Sequence, residues 1–291
     1  MQGSQSLVHL CAACWKRPRL LGWELLWRWG FGLPAAAVLW YQGLRMASRA
    51  ALSLDGLSLS DPMQSAQQLM EMAATLKPLL LHAGLWLAPL LALLWALVSG
   101  LGRTAVLTHL DPTLHRAPVT LVVLQLLRIF ALAAVCLGWF YAIRWAAQST
   151  LNNAAPNLVA YSSWVICLTL GIFILWALLS WIFLVAPLLA MIEGKGPFQS
   201  VVRSLRLGKL TAKLVEVNLV LGIVRLGLVV LAMVFSAIPL PFASDMSGLS
   251  LYLWWAFVTL LYLIASDFFQ VSRLAAFLQL WRNESLHADQ Q

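Results

Sequence analysis

Charge is scarce in this sequence: 10% of its 291 residues are Asp, Glu, Lys or Arg, whereas 62% are hydrophobic. A soluble domain needs a polar shell around its core, so a chain this poor in charge, with apolar runs near the ~20 residues that cross hydrocarbon, has the bilayer as its solvent. Long polar stretches are also missing, which leaves no room for an independently folded soluble domain. We expect one membrane domain over residues 1–282 and a polar tail over 283–291. Only four cysteines occur, and Cys136 and Cys167 stand inside apolar runs, so no disulfide framework is expected. Cys11 and Cys14 form a CxxC near His9, but a structural zinc site needs four ligands and no second pair of cysteines or histidines stands nearby. Catalytic signatures are absent too: there is no HExxH, no GxSxG elbow, no P-loop and no GxGxxG. Ser200 and Ser204 lie one helical turn apart with no histidine close in sequence. The chain is therefore read as non-enzymatic, with no cofactor, no metal and no catalytic residue.

What is present is an all-α pattern, a polytopic helical bundle of about six spans with short interfacial helices. The apolar runs fall at 29–47, 79–101, 119–142, 159–189, 214–237 and 251–269, the last continuing as a cytoplasmic helix toward Trp281. Pro34 and Pro89 lie inside two of them, where a membrane helix tolerates proline better than a soluble one does. Ahead of the first run, CWKRPRLLGWELLWRW is basic and tryptophan-rich, which suits the cytoplasmic interface and is too long for the leading region of a signal peptide. Between the first two runs, Asp61 can cap a helix, Pro62 fits its first position, and Met63, Ala66, Met70 and Ala73 recur on one face. That predicts a separate amphipathic helix on the outer surface. The exit of the second span, Gly100 to Arg116, contains His109, Asp111 and His115; all three bear metal-binding groups, but Asp111-Pro112 reads as the start of a turn.

The formal net charge is +8, yet the basic residues sit in short loops beside apolar spans, with no patch that would read nucleic acid. Topology accounts for them. With the amino terminus inside, thirteen Lys and Arg residues are cytoplasmic: Lys16, Arg17, Arg19, Arg28, Arg103, Arg116, Lys195, Arg203, Arg206, Lys209, Lys213, Arg273 and Arg282. Four, namely Arg45, Arg49, Lys77 and Arg144, fall outside, and Arg128 and Arg225 remain within spans. The excess predicts a bacterial cytoplasmic membrane protein with both termini inside. Fifteen tryptophans agree with a membrane setting, since indoles favour the interface; Trp15, Trp23, Trp27, Trp29, Trp40, Trp139, Trp145 and Trp281 lie near span ends, and Trp86, Trp95, Trp164, Trp176, Trp181, Trp254 and Trp255 read as packing residues inside spans.

Two constellations carry chemical interest. In Ala186–Lys213 a span stops near Ile192, turns through Glu193-Gly194-Lys195-Gly196-Pro197 and continues as a short amphipathic helix. Phe198, Val201, Val202 and Leu205 form its apolar face, directed at acyl chains or at the bundle, and Gln199, Arg203 and Arg206 form the other. Arg203, Arg206, Lys209 and Lys213 are the candidate contacts to membrane lipid, anionic lipid above all, or to a partner, which would be a second copy or another membrane protein. The second constellation is intramembrane. Arg128, Glu216 and Asp267 are ionisable residues in spans that snorkelling could bring together near the cytoplasmic surface; they either neutralise one another and set helix register or line a polar cavity. Arg225 has no evident partner at its depth.

Ala186-Pro187 closing a long span, Glu193 at the turn and Phe198-Gln199-Ser200-Val201-Val202-Arg203-Ser204 opening the next helix resemble a family of bacterial six-span membrane proteins. The family is similar to the membrane domain attached to some glycerophosphoryl diester phosphodiesterases, and the likeness extends to the six-span layout and the Gly100-to-Arg116 exit. It implies an inner-membrane bundle. Phosphodiester hydrolysis is not implied, because no soluble segment here is long enough for the catalytic barrel. The expected role is that of an envelope or membrane-organising protein acting through lipid or protein contacts; the alternative is a transporter or permease component, toward which Pro34, Pro89 and Arg128 point.

Overall fold

The computed structural model describes residues 12, 14–15, 18–49, 62–151, 157–206, 209–237 and 248–288. Among them the regular structure is all helical: α1 (Pro18–Arg49), α2 (Pro62–Leu110), α3 (Pro118–Leu151), α4 (Leu158–Glu193), α5 (Pro197–Leu205), α6 (Lys209–Ala237) and α7 (Leu249–Ala288). Four of these begin on proline, whose missing N–H is no loss at a position without an intrahelical acceptor. Asn157 caps α4, its side chain accepting from the Ala160 amide at 2.9 Å.

Five segments are long and apolar enough to cross a membrane: Ala74–Leu110, Pro118–Thr150, Leu158–Glu193, Glu216–Ala237 and Leu249–Arg282. Helix α1 has the length, but Arg28, Gln42, Arg45 and Arg49 interrupt its apolar character.

Several boundaries differ from the sequence expectation, for a common reason: polar residues do not stop a helix that can absorb them. The outer amphipathic helix and the second span are one helix, because Pro78 is the sole break between them and α2 runs through it. The same helix continues ten residues past Gly100 instead of entering a loop. There the Thr104 hydroxyl donates to the Gly100 carbonyl at 2.7 Å, the Thr108 hydroxyl donates to the Thr104 carbonyl at 2.9 Å, and His109 Nδ1 lies 2.8 Å from the Ala105 carbonyl. At the amino end, the interfacial stretch from Pro18 onward and the first apolar run are likewise joined in α1. Residues 283–288, expected in the polar tail, continue α7, since no Gly or Pro interrupts them.

The chain divides into two compact units, residues 27–99 and residues 1–26 with 100–291. In the first, the Trp95 ring receives Trp27 at 5.5 Å and Phe31 at 5.2 Å between centroids. In the second, α3 lies along α4 and α6 along α7. The core of this larger unit is concentrated at one end of its helices. It gathers Leu107 of α2, Leu121 and Leu124 at the start of α3, Leu184–Met191 at the close of α4, Val217 and Leu221 of α6, and Leu274–Leu278 of α7. Away from it the same helices expose Phe173, Leu226 and Leu253, which hydrocarbon can cover at no cost. At the far end of the α6–α7 pair, the Trp254 and Trp255 indoles donate to the Phe235 and Ser236 carbonyls at 2.9 and 3.1 Å. These two tryptophans, read from sequence as span packing, satisfy last-turn carbonyls of α6 that have no intrahelical partner.

Candidate functional site

The core end carries the polar connections. Helix α4 stops at Gly194, whose φ of 63° is left-handed backbone that suits glycine, and Gly196 in extended conformation leads into Pro197 at the first position of α5. The His115 amide donates to the Met191 carbonyl at 2.9 Å, so the α2–α3 loop satisfies a carbonyl in the last turn of α4.

Helix α5 turns an unexpected side inward. Ser200 and Ser204 are fully buried, their hydroxyls bonded to the Gly196 and Val201 carbonyls at 2.9 and 2.6 Å, and only Val201 of the expected apolar face rests against the core. Small side chains let the helix lie close to its support, a requirement that hydrophobicity does not report. The outward surface is divided lengthwise. At about 100° per residue, Phe198, Val202 and Leu205 share one strip and Gln199, Arg203 and Arg206 the strip beside it. The three apolar residues are 68, 48 and 59% exposed. An open concavity of about 490 Å³ follows the seam, lined by Lys195, Phe198, Gln199, Val202, Arg203 and Arg206. Glu193 stands at its edge, with Lys195 Nζ 2.6 Å from one carboxylate oxygen and Arg203 Nε 3.4 Å from the other. Lys209 opens α6, and Lys213 lies in its second turn.

Of the intramembrane group, Asp267 is buried, Arg128 half-buried and Glu216 exposed. Asp267 and Arg128 both have interactions with other groups. The histidines and aspartate of the α2–α3 loop do not converge on a common point. His109 lies against its own helix and the Trp23 ring, His115 lies beside Gly194, and Asp111 is taken up by Thr113 and Arg282. The turn reading of Asp111 holds: its carboxylate accepts from the Thr113 amide at 3.0 Å and the Thr113 hydroxyl at 2.7 Å. Burial pushes this carboxyl up, but Thr113 and the Arg282 guanidinium outweigh it and hold the group below its ordinary value. Cys14 is buried; His9 and Cys11 lie outside the described residues.

Three features escaped the sequence reading. Glu24 is 1% exposed; its signal was a lone acid among Trp23, Leu25, Leu26 and Trp27. Arg273 donates to Asn218 at 3.3 Å and to Gln270, a polar link between α6 and α7 for which sequence spacing offers no cue. Cys14, Trp15 and Leu20 also dock onto the core end, with Cys14 and Leu20 buried together with Val271 and the Trp15 ring 5.5 Å from Phe268.

Comparison of the chain with protein-family models, with curated proteins and with solved structures found no match.

Proposed function

We propose that this chain is a non-enzymatic, multi-pass protein of a bacterial cytoplasmic membrane that organises the inner membrane face by laying α5 on anionic lipid. The observation that carries this reading is the lengthwise division of α5: Phe198, Val202 and Leu205 beside Arg203 and Arg206, all outward. A helix parallel to a bilayer needs that arrangement, with one strip at the acyl boundary and one at the head groups. Each basic residue held near an anionic leaflet contributes about 1 kcal/mol.

The orientation has support from two directions. Lys and Arg concentrate in the loops assigned to the core end. Cys14 and Leu20 dock there as well, beside the closing half of α7 and Leu110, where the Ala74–Leu110 segment ends. Cys14, Leu20 and the closing half of α7 thus share the end that the charge bias assigns to the cytoplasm, which supports one common side for these two segments.

Depth measurement tests the reading. In the full chain with its native cysteines replaced, Phe198→Cys, Gln199→Cys and Val202→Cys are each labelled with a bimane fluorophore in nanodiscs containing phosphatidylglycerol. Quenching by lipids brominated near the headgroup should be strong at 198 and 202 and weak at 199. Equal, water-like quenching at all three positions would overturn the proposal.

A further inference from the structure

We propose that the concavity on α5 is a site for one anionic phospholipid molecule, and that Glu193 occupies the place of its phosphate and is displaced when the lipid binds. This rests on the interfacial reading of α5 and goes beyond it, since a helix lying on a charged surface needs no discrete site.

Three observations lead there. The concavity lies on the seam of the two strips, so a ligand filling it meets cations on one side and Phe198 and Val202 on the other. A phospholipid has that division within a single molecule: a phosphate and, a few bonds away, the apolar start of its acyl chains. The two cations nearest Glu193 already converge on an oxyanion, because its carboxylate takes Lys195 on one oxygen and Arg203 on the other. A phosphodiester presents two charged oxygens in a similar spacing and accepts the same donors. Finally, Arg206 lines the concavity and, among the described residues, makes no ion pair. Glu193 leaves that guanidinium unused, whereas a phosphate seated over the strip can take it. Lys195 and Arg203 are 46 and 51% exposed, so their bonds to Glu193 are of the weak, solvent-screened kind that a better ligand can replace.

The proposal gives Glu193 a sign opposite to that of a merely structural residue: removing its charge should strengthen lipid binding. Native mass spectrometry of the full chain in mild detergent, with equimolar dimyristoyl phosphatidylglycerol and dimyristoyl phosphatidylcholine, reads this directly. The unaltered chain should retain phosphatidylglycerol preferentially. Glu193→Gln should raise that retention by about threefold, the size expected when a screened competitor is removed. Arg206→Gln should lower it by about fivefold with the melting temperature unchanged. Inorganic phosphate should not compete, since it lacks the part that meets Phe198 and Val202.

Unchanged or weaker retention in Glu193→Gln, together with loss in Arg203→Gln/Arg206→Gln, overturns the discrete site and leaves the interfacial reading standing. Undiminished retention in the double variant overturns both. Competition by inorganic phosphate shows a free-anion site instead of a lipid site, and a second copy of the chain found in place of lipid shows a protein interface; either overturns the proposal. If Glu193→Gln does not fold, Arg206→Gln decides alone, and unchanged retention there overturns it.

Discussion

The Arg282 guanidinium, near the carboxyl-terminal end of α7, donates to the carboxylate of Asp111 in the α2–α3 loop, and the two residues are 171 positions apart in sequence. Asp111 is buried and Arg282 more than half exposed, so the carboxylate is the buried acceptor on which Thr113 and Arg282 converge, and its loss removes charge-assisted bonds from both. Asp111→Asn should cost about 1.5–3 kcal/mol, toward the low end because the Thr113 bonds can persist. The acid dependence has a definite sign. The folded-state carboxyl lies below its ordinary value, so the unfolded chain takes up the proton first as pH falls. The stabilisation is complete above the unfolded value of about 3.9 and disappears as pH drops through the lower folded one. Melting scans of the solubilised protein should therefore show a fall below about pH 4 that Asp111→Asn lacks.

Gly100 allows α2 and α3 to touch. A Cβ there would lie 2.4 Å from Val122 Cγ2 and 2.8 Å from the Val122 backbone nitrogen. Because backbone is among the obstructing atoms, the helices themselves must separate, and Gly100→Ala should destabilise by about 1–3 kcal/mol. Gly100→Ala/Val122→Ala should recover only part of that, since the side-chain clash goes and the backbone clash stays. Thermal unfolding monitored by circular dichroism measures both variants.

On α5, neighbouring positions should respond in opposite ways. Ser204→Leu forces a branched side chain into a fully buried site and should lower stability by about 1–3 kcal/mol. Leu205→Ser alters an exposed residue and should leave the melting temperature in detergent unchanged, while weakening attachment of α5 to anionic nanodiscs. A reversed pattern would mean that α5 is rotated from its described position.

Gly194 tests the turn between α4 and α5. An added Cβ would meet the His115 ring at 3.8 Å, an ordinary contact, so the penalty comes from the left-handed backbone. Gly194→Ala should cost about 1 kcal/mol and Gly194→Asn less, because asparagine tolerates this conformation. Chemical denaturation of the two variants side by side gives the comparison.

Much of the fold was legible because lipid imposes a simple demand: a run of apolar residues long enough to cross must be helical, and five of the apolar runs lie in helices that meet this demand. Pro62 and Pro197 marked their helix starts, and Gly194 marked an end, through backbone preferences that act locally. Continuity was harder to read. Thr104 and Thr108 look like loop residues, yet their hydroxyls bond back to the helix and α2 continues to Leu110. The inward side of α5 was hidden for a different reason, since Ser200 and Ser204 are buried for their small volume and not for their polarity. The Asp111–Arg282 bond joins distant segments, and no periodicity reports such a pairing.

The gathering of the core at one end of α3, α4, α6 and α7 sets how this unit should yield under stress. Amides near Leu124, Leu189, Leu221 and Phe277 belong to a tight knot and should be the slowest to exchange their hydrogens. Toward the opposite leaflet the same helices resemble the tines of a fork fixed at its handle, leaning mainly on surrounding acyl chains for lateral support. Bilayer thickness and fluidity should therefore influence that half more than any single side chain does, and the knot at the core end should outlast it when lipid is stripped away.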